Sequence, residues 1–210
     1  DLGWDVPAGQ KFENAQWELG SLLVAEDKFP SCTGSREERL TKLNQMVLTS
    51  GWKGTGLWLP AHPHGDRQNG IIMKDAQVEE FYREGLDDSK NADIKYWKID
   101  YGFRGGDLSF RKMITRVAEE VNPGLYVEHG RGGGPLNDEE CPWDTKNYHQ
   151  IGSYRTWDDG KVLQTAVEIA RISHVFRTYD ITQHLSVPTT LDRVAQILSE
   201  LSGSGEEVII

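Results

Sequence analysis

Strand-like and helix-like stretches alternate along the 210 residues, and this predicts an α/β fold. Doubly wound sheets and (β/α)8 barrels both fit this alternation, and the favoured form is an incomplete (β/α)8 TIM barrel with about five strands visible. Three observations carry the prediction. The alternation repeats every few tens of residues, as the βαβ units of a parallel sheet do. Polar, chemically capable residues follow nearly every strand (Asp1, His62, Asp100, Glu128 and Asp180), and a barrel gathers such positions on one face. No G-x-G-x-x-G opens a helix after a strand, so a dinucleotide-binding sheet gains no support.

Residues 1–35 have little periodicity and much Gly, Pro, Lys and Glu. They read as a strand end followed by a long surface loop, with Trp4 and Trp17 as anchors. Leu40, Leu43, Met46 and Val47 recur at helical spacing and predict a helix over 36–50, with Ser35 and Glu38 as capping box and Gly51 as its stop. Residues 54–59 read as a strand, and the loop after it, 60–70, carries His62 and His64. A helix is expected over 75–89 with Val78, Phe81, Tyr82 and Leu86 inward, then a strand over 95–101. The next helix, 107–121, carries Leu108, Met113, Ile114, Val117 and Val121. Pro123 and Gly124 turn the chain into a strand over 125–128, and a Gly-rich polar loop over 129–159 follows. A helix over 161–172, a strand over 174–179 and a helix over 188–201 come next; the last has Pro188 in its first turn and Gly203 past its end. Asp1-Leu2-Gly3-Trp4 reads as the end of a strand and Glu207-Val208-Ile209-Ile210 as the start of another. Because a whole barrel runs to roughly 250 residues, residues 1–210 are expected to be the central part of a single barrel domain.

A net charge of -10 and a pI near 5.1 argue against a nucleic-acid partner or a membrane surface, both of which call for basic patches. No apolar run approaches the roughly 18 residues of a spanning helix. Seven Trp and seven Tyr supply the flat apolar platforms that sugar sites use, although cores and interfaces use them too. Cys32 and Cys141 both fall in expected loops; a bridge and two free thiols both fit, and two cysteines define no compartment.

The chemistry concentrates in Tyr96-Trp97-Lys98-Ile99-Asp100-Tyr101-Gly102. Strand alternation puts Lys98 and Asp100 on one face, with Trp97 and Ile99 on the other. A carboxylate at a strand end is costly to desolvate unless chemistry needs it, and a cation on the same face keeps it ionised. Asp180 closes another strand, again with a cation upstream at Arg177. Two carboxyls about 5 Å apart on one barrel face suit retaining glycoside hydrolysis, one attacking the anomeric carbon and the other protonating the leaving oxygen. The bland alternative is that each Asp caps a helix or pairs with its neighbouring cation. The presence of two, with Glu128 at the equivalent place on its own strand, favours the chemical reading.

The same residues resemble a known family. Tyr96-Trp97-Lys98-Ile99-Asp100-Tyr101 is similar to the fourth-strand nucleophile motif of the α-galactosidase-like (melibiase) glycoside hydrolases, families 27 and 36 of clan D. Gly51-Trp52-Lys53-Gly54-Thr55-Gly56-Leu57-Trp58 resembles their third-strand stretch, and Lys28-Phe29-Pro30 a segment before it. Asp1-Leu2-Gly3-Trp4 sits where they have Asp-Asp-Gly-Trp, Val127-Glu128-His129 where they place a sugar-contacting fifth strand, and Phe176-Arg177-Thr178-Tyr179-Asp180 is similar to their acid/base motif. Leu2 in place of the second Asp, the spacing of Arg177 and the Pro60–His64 loop depart from the pattern at substrate recognition. The resemblance runs the length of the chain in consistent order, roughly from the barrel's strand 2 to its strand 7, and implies a hydrolase of α-linked glycosides that needs no cofactor. Asp100 would be the nucleophile and Asp180 the acid/base; Asp1, Trp4, Trp58, Lys98, Glu128 and Arg177 would bind an oligosaccharide or glycoside substrate. Two alternatives stay open: a metal-dependent amidohydrolase barrel using His62, His64, Lys98 and His129, and a non-catalytic carbohydrate-binding barrel. Gly132-Gly133-Gly134 could cradle a phosphate, but the Lys and Ser/Thr of a P-loop are missing.

Overall fold

A computed structural model describes residues 3–5, 19–67, 70–100, 102–130 and 167–175. Helix α1, Arg36–Thr49, begins as its sequence predicts: Ser35 Oγ accepts from Glu38 N, and the Glu38 carboxylate accepts from Ser35 N at 2.8 Å. Strand β1, Gly56–Leu59, leads to helix α2, Asp75–Asn91, and strand β2, Tyr96–Ile99. Helix α3, Leu108–Val121, is capped by Asp107, which accepts from Ser109 N and Phe110 N. Strand β3, Tyr126–His129, closes the βαβαβ run, and residues 167–172 are helical. All six elements fall within a few residues of the boundaries that periodicity and turn residues predict.

The strands form one parallel sheet in the order β1-β2-β3. Leu57, Leu59, Trp97, Ile99 and Val127 point to one side, where they join Val78, Tyr82 and Leu86 of α2 and Phe110, Ile114 and Val117 of α3 in a single core. Each of these side chains contributes roughly 1.5–3 kcal/mol by leaving water. Asn44, buried in α1, fastens the helix layer to the sheet. Its Nδ2 donates to Ala92 O at 3.0 Å, and its Oδ1 accepts from Thr55 N at 2.9 Å, just before β1.

The fold departs from the incomplete (β/α)8 barrel: the described residues hold a partial, three-stranded sheet and not the six strands running from a second to a seventh. At the front, Gly3–Asp5 form a turn, and Asp1 and Leu2 of the expected strand end lie outside the described residues. Trp4 O accepts from Ala25 N, which commits that backbone carbonyl to the 19–25 segment, and the Asp5 carboxylate accepts from Gly20 N and Leu22 N. At the far side Val175 makes one isolated parallel bridge to Glu128, and the expected strand 174–179 is described no further. Barrel closure requires each strand to be paired on both sides, and among the described residues β1 pairs only with β2. The expected helix 188–201 and the strand from Glu207 lie outside the described residues.

Candidate active site

Opposite the core, the sheet carries a row of polar and aromatic side chains. Trp58, Lys98 and Glu128 are register partners across β1, β2 and β3, and period-two alternation sends all three to the face that Leu57, Trp97 and Val127 leave. Asp100, two residues after Lys98, stands on the same face just past the end of β2, where its backbone N–H donates to Leu59 O at 2.9 Å. The predicted same-face placement of Lys98 and Asp100 against Trp97 and Ile99 is what the structure shows.

These side chains touch one another. Trp58 Nε1 donates to Asp100 Oδ2 at 2.9 Å. Lys98 Nζ lies 3.4 Å from the same Oδ2 and 3.7 Å from Glu128 Oε1, so one ammonium joins both carboxylates. Tyr96 OH donates to Glu128 Oε2. Exposure separates the two acids: the Asp100 side chain is 24% exposed and that of Glu128 only 1%. Asp100 is therefore the more solvent-accessible of the two carboxylates, and Glu128 is a buried partner of the ammonium.

Trp4 supports this row from behind. It is buried, and its Nε1 donates to Trp58 O at 2.8 Å, fixing the backbone of β1 at the site. Asp1, Arg177 and Asp180 lie outside the described residues, as do Cys141 and the triple glycine 132–134. Cys32 is a buried free thiol.

The backbone of the site hangs on Arg111, which sequence reasoning missed. Its fully buried guanidinium donates to Gly105 O at 2.8 Å, Ile99 O at 3.3 Å, Asp100 O at 3.2 Å and Gly130 O at 2.9 Å. The chain just beyond β2 and the chain just beyond β3 are thus held by one side chain. A signal was present: Arg111 shares a helical face with Ile114 and Ala118, at three and seven residues, where a cation has no solvent to reach.

Two residues of the metal alternative, Lys98 and His129, stand on opposite faces of the sheet. His129 is on the core side of β3, opposite Lys98, with both ring nitrogens engaged: Nδ1 with Arg111 Nη1 at 3.3 Å and Nε2 with Thr115 Oγ1 at 2.8 Å. Since Thr115 Oγ1 donates to Ile172 O at 2.6 Å, Nε2 carries the imidazole proton and Nδ1 accepts from the guanidinium. Burial, then the Arg111 charge, holds this imidazole neutral, well below its usual pKa. His62 is likewise buried, its Nδ1 accepts from Phe103 N at 3.3 Å, and desolvation pushes its pKa down to about 4. Among the described residues no three His, Cys, Asp or Glu side chains are grouped to hold a metal ion.

Two loops at the carboxyl ends of the strands are tied to each other. Arg104 Nε donates to the buried Asp66 Oδ2 at 2.7 Å, and Arg104 Nη2 to Met73 O at 2.8 Å, so the segment after β2 is locked onto the loop after β1. Gly102 makes the crossing feasible. Its φ of +152° is one that other residues rarely adopt, and a Cβ there would stand 2.5 Å from His62 Nδ1. No helix among the described residues is long and apolar enough to cross a membrane. Compared with family models, with curated proteins and with solved structures, the chain matches none of them.

Proposed function

We propose that this protein is a retaining glycoside hydrolase acting on α-linked glycosides, α-galactosidase-like, with Asp100 as nucleophile. One observation supports it above the others: the partly exposed Asp100 carboxylate ends a strand with one oxygen held by both the Trp58 indole and the Lys98 ammonium. A carboxylate so oriented by two donors is preorganised to attack a sugar placed beside it. The Trp58 ring offers the apolar platform for that sugar.

In the first half-reaction Asp100 attacks the anomeric carbon while Asp180, as general acid, protonates the departing oxygen. In the second, Asp180 as general base takes a proton from water, which hydrolyses the glycosyl ester. Trp4, Lys98 and Glu128 organise the nucleophile side, and Asp1 and Arg177 complete sugar recognition in this reading. The chemistry requires no metal or organic cofactor.

The test is hydrolysis of a panel of aryl α- and β-glycosides by the full-length protein, with Asp100→Ala and Asp180→Ala beside it. Cleavage of an α-glycoside, lost in Asp100→Ala and kept for activated leaving groups in Asp180→Ala, is the expected result. Wild-type turnover by Asp100→Ala would sink the assignment.

A further inference from the structure

The two oxygens of Asp100 are not equivalent. Oδ2 accepts from Trp58 Nε1 at 2.9 Å and faces Lys98 Nζ at 3.4 Å, whereas Oδ1 takes no hydrogen bond among the described residues. Instead, Oδ1 lies over Gly130. A Cβ on that residue would stand 3.3 Å from Asp100 Oδ1, 3.3 Å from its Cγ and 2.9 Å from Lys98 Cε. The glycine cannot easily retreat, because its N–H donates to Ile99 O at 2.8 Å and its carbonyl accepts from the buried Arg111 Nη2 at 2.9 Å. With its backbone pinned on both sides and no side chain, Gly130 lets the Asp100 carboxylate and the Lys98 stem pack close to its α-carbon, where a Cβ would press on both.

We propose that Oδ1 is the oxygen that attacks, and that Gly130 is a positioning residue whose bare α-carbon keeps Oδ1 open to the anomeric carbon. This inference rests on the glycosidase reading and assigns roles within it. In the step, a lone pair on Oδ1 forms the bond to the anomeric carbon as the glycosidic bond breaks. The leaving oxygen keeps the electron pair of the broken glycosidic bond and takes its proton from the general acid. Oδ2 becomes the carbonyl oxygen of the ester and retains both donors, Trp58 and Lys98. A methyl group at position 130 would press on the attacking oxygen and on the Lys98 stem together. The oxygen would then be misplaced while the sugar platform at Trp58 stays intact.

The experiment traps the glycosyl-enzyme of the full-length protein with a fluorinated α-glycosyl fluoride of the sugar that the aryl-glycoside panel identifies. Mass spectrometry locates the label, and a crystal structure of the trapped wild type shows which oxygen carries it. Attachment through Oδ1, with Oδ2 still on Trp58, supports the inference; attachment through Oδ2 overturns it. Gly130→Ala should form the trapped species about a hundredfold more slowly, as a misplaced nucleophile does, with product-sugar binding and melting temperature near wild type. Trapping at the wild-type rate would overturn the role of Gly130 alone. If Gly130→Ala does not fold, the trapped wild-type structure decides by itself. A wild type that hydrolyses or binds no glycoside, and takes no label at Asp100, overturns the inference together with the reading beneath it.

Discussion

Trp58 on β1 donates its indole N–H to Asp100 Oδ2, just past the end of β2, at 2.9 Å. The contact exists because Leu57 and Leu59 take the core side of β1, which leaves Trp58 on the face that Lys98 and Asp100 share. A structural alternation thus becomes a chemical arrangement.

Trp58→Phe keeps the ring and removes the donor. A hydrogen bond to a charged group is worth about 1.5–3 kcal/mol, so kcat on an aryl α-glycoside should fall by about ten- to a hundredfold. KM should change little, since the stacking surface remains. Steady-state kinetics decide the matter, and an unaltered kcat would remove the indole from the mechanism.

Arg111→Met fills the same channel but leaves several buried carbonyls without a donor. Each stranded group costs about 1–3 kcal/mol, so urea denaturation should show a loss of at least about 3 kcal/mol. Arg111→Lys should rescue only part of it, because an ammonium cannot span the carbonyls that the planar fork reaches. Stability equal to wild type in Arg111→Met would show that the guanidinium does not hold the chain beyond β2 and β3.

Acid should weaken the fold through its buried imidazoles. His62 has its pKa lowered to about 4 and His129 well below its usual value, in both cases mainly by burial. The unfolded chain therefore binds more protons as pH falls from about 6.5. Their contribution is complete above that pH and is lost progressively towards pH 4, at up to about 1.4 kcal/mol per pH unit for each group. Asp5, whose carboxyl burial pushes upward, acts in the opposite sense. Denaturant midpoints measured between about pH 7 and pH 4 test this, and His62→Gln should flatten the slope.

Asp66→Ala removes the buried carboxylate partner of the Arg104 guanidinium, which keeps the exposed Asp75 carboxylate at 2.8 Å and Met73 O. Loss of one partner of a buried pair costs up to about 3–5 kcal/mol. Hydrogen exchange should quicken in residues 60–67 and 102–107 together, since Arg104 joins the two segments. Faster exchange in only one would show that the loops are not coupled.

Much of this was legible in the residues. Local signals suffice for the capping box at Ser35, the apolar spacing of α2 and α3, and the alternation in Tyr96–Ile99, because each depends on neighbours a few positions away. The same alternation anticipated Lys98 and Asp100 on one face. Closure of the sheet was not legible: whether Gly3–Asp5 pairs as a strand depends on the 19–25 segment taking the Trp4 carbonyl, a contact that no periodicity reports. Arg111 was missed because a cation on a helix usually marks solvent, and only the carbonyls beyond β2 and β3 make a buried guanidinium stable. The pairing of Glu128 with Tyr96 depends on strand register, which emerges only once β2 and β3 are aligned.

The most direct measurement is chemical rescue of Asp100→Gly by sodium azide, with an activated aryl α-glycoside as substrate. If Asp100 is the nucleophile, the variant is inactive alone, and azide restores turnover from the vacated side to give the β-glycosyl azide. Hydrolysis by Asp100→Gly at the wild-type rate without azide would contradict the central claim.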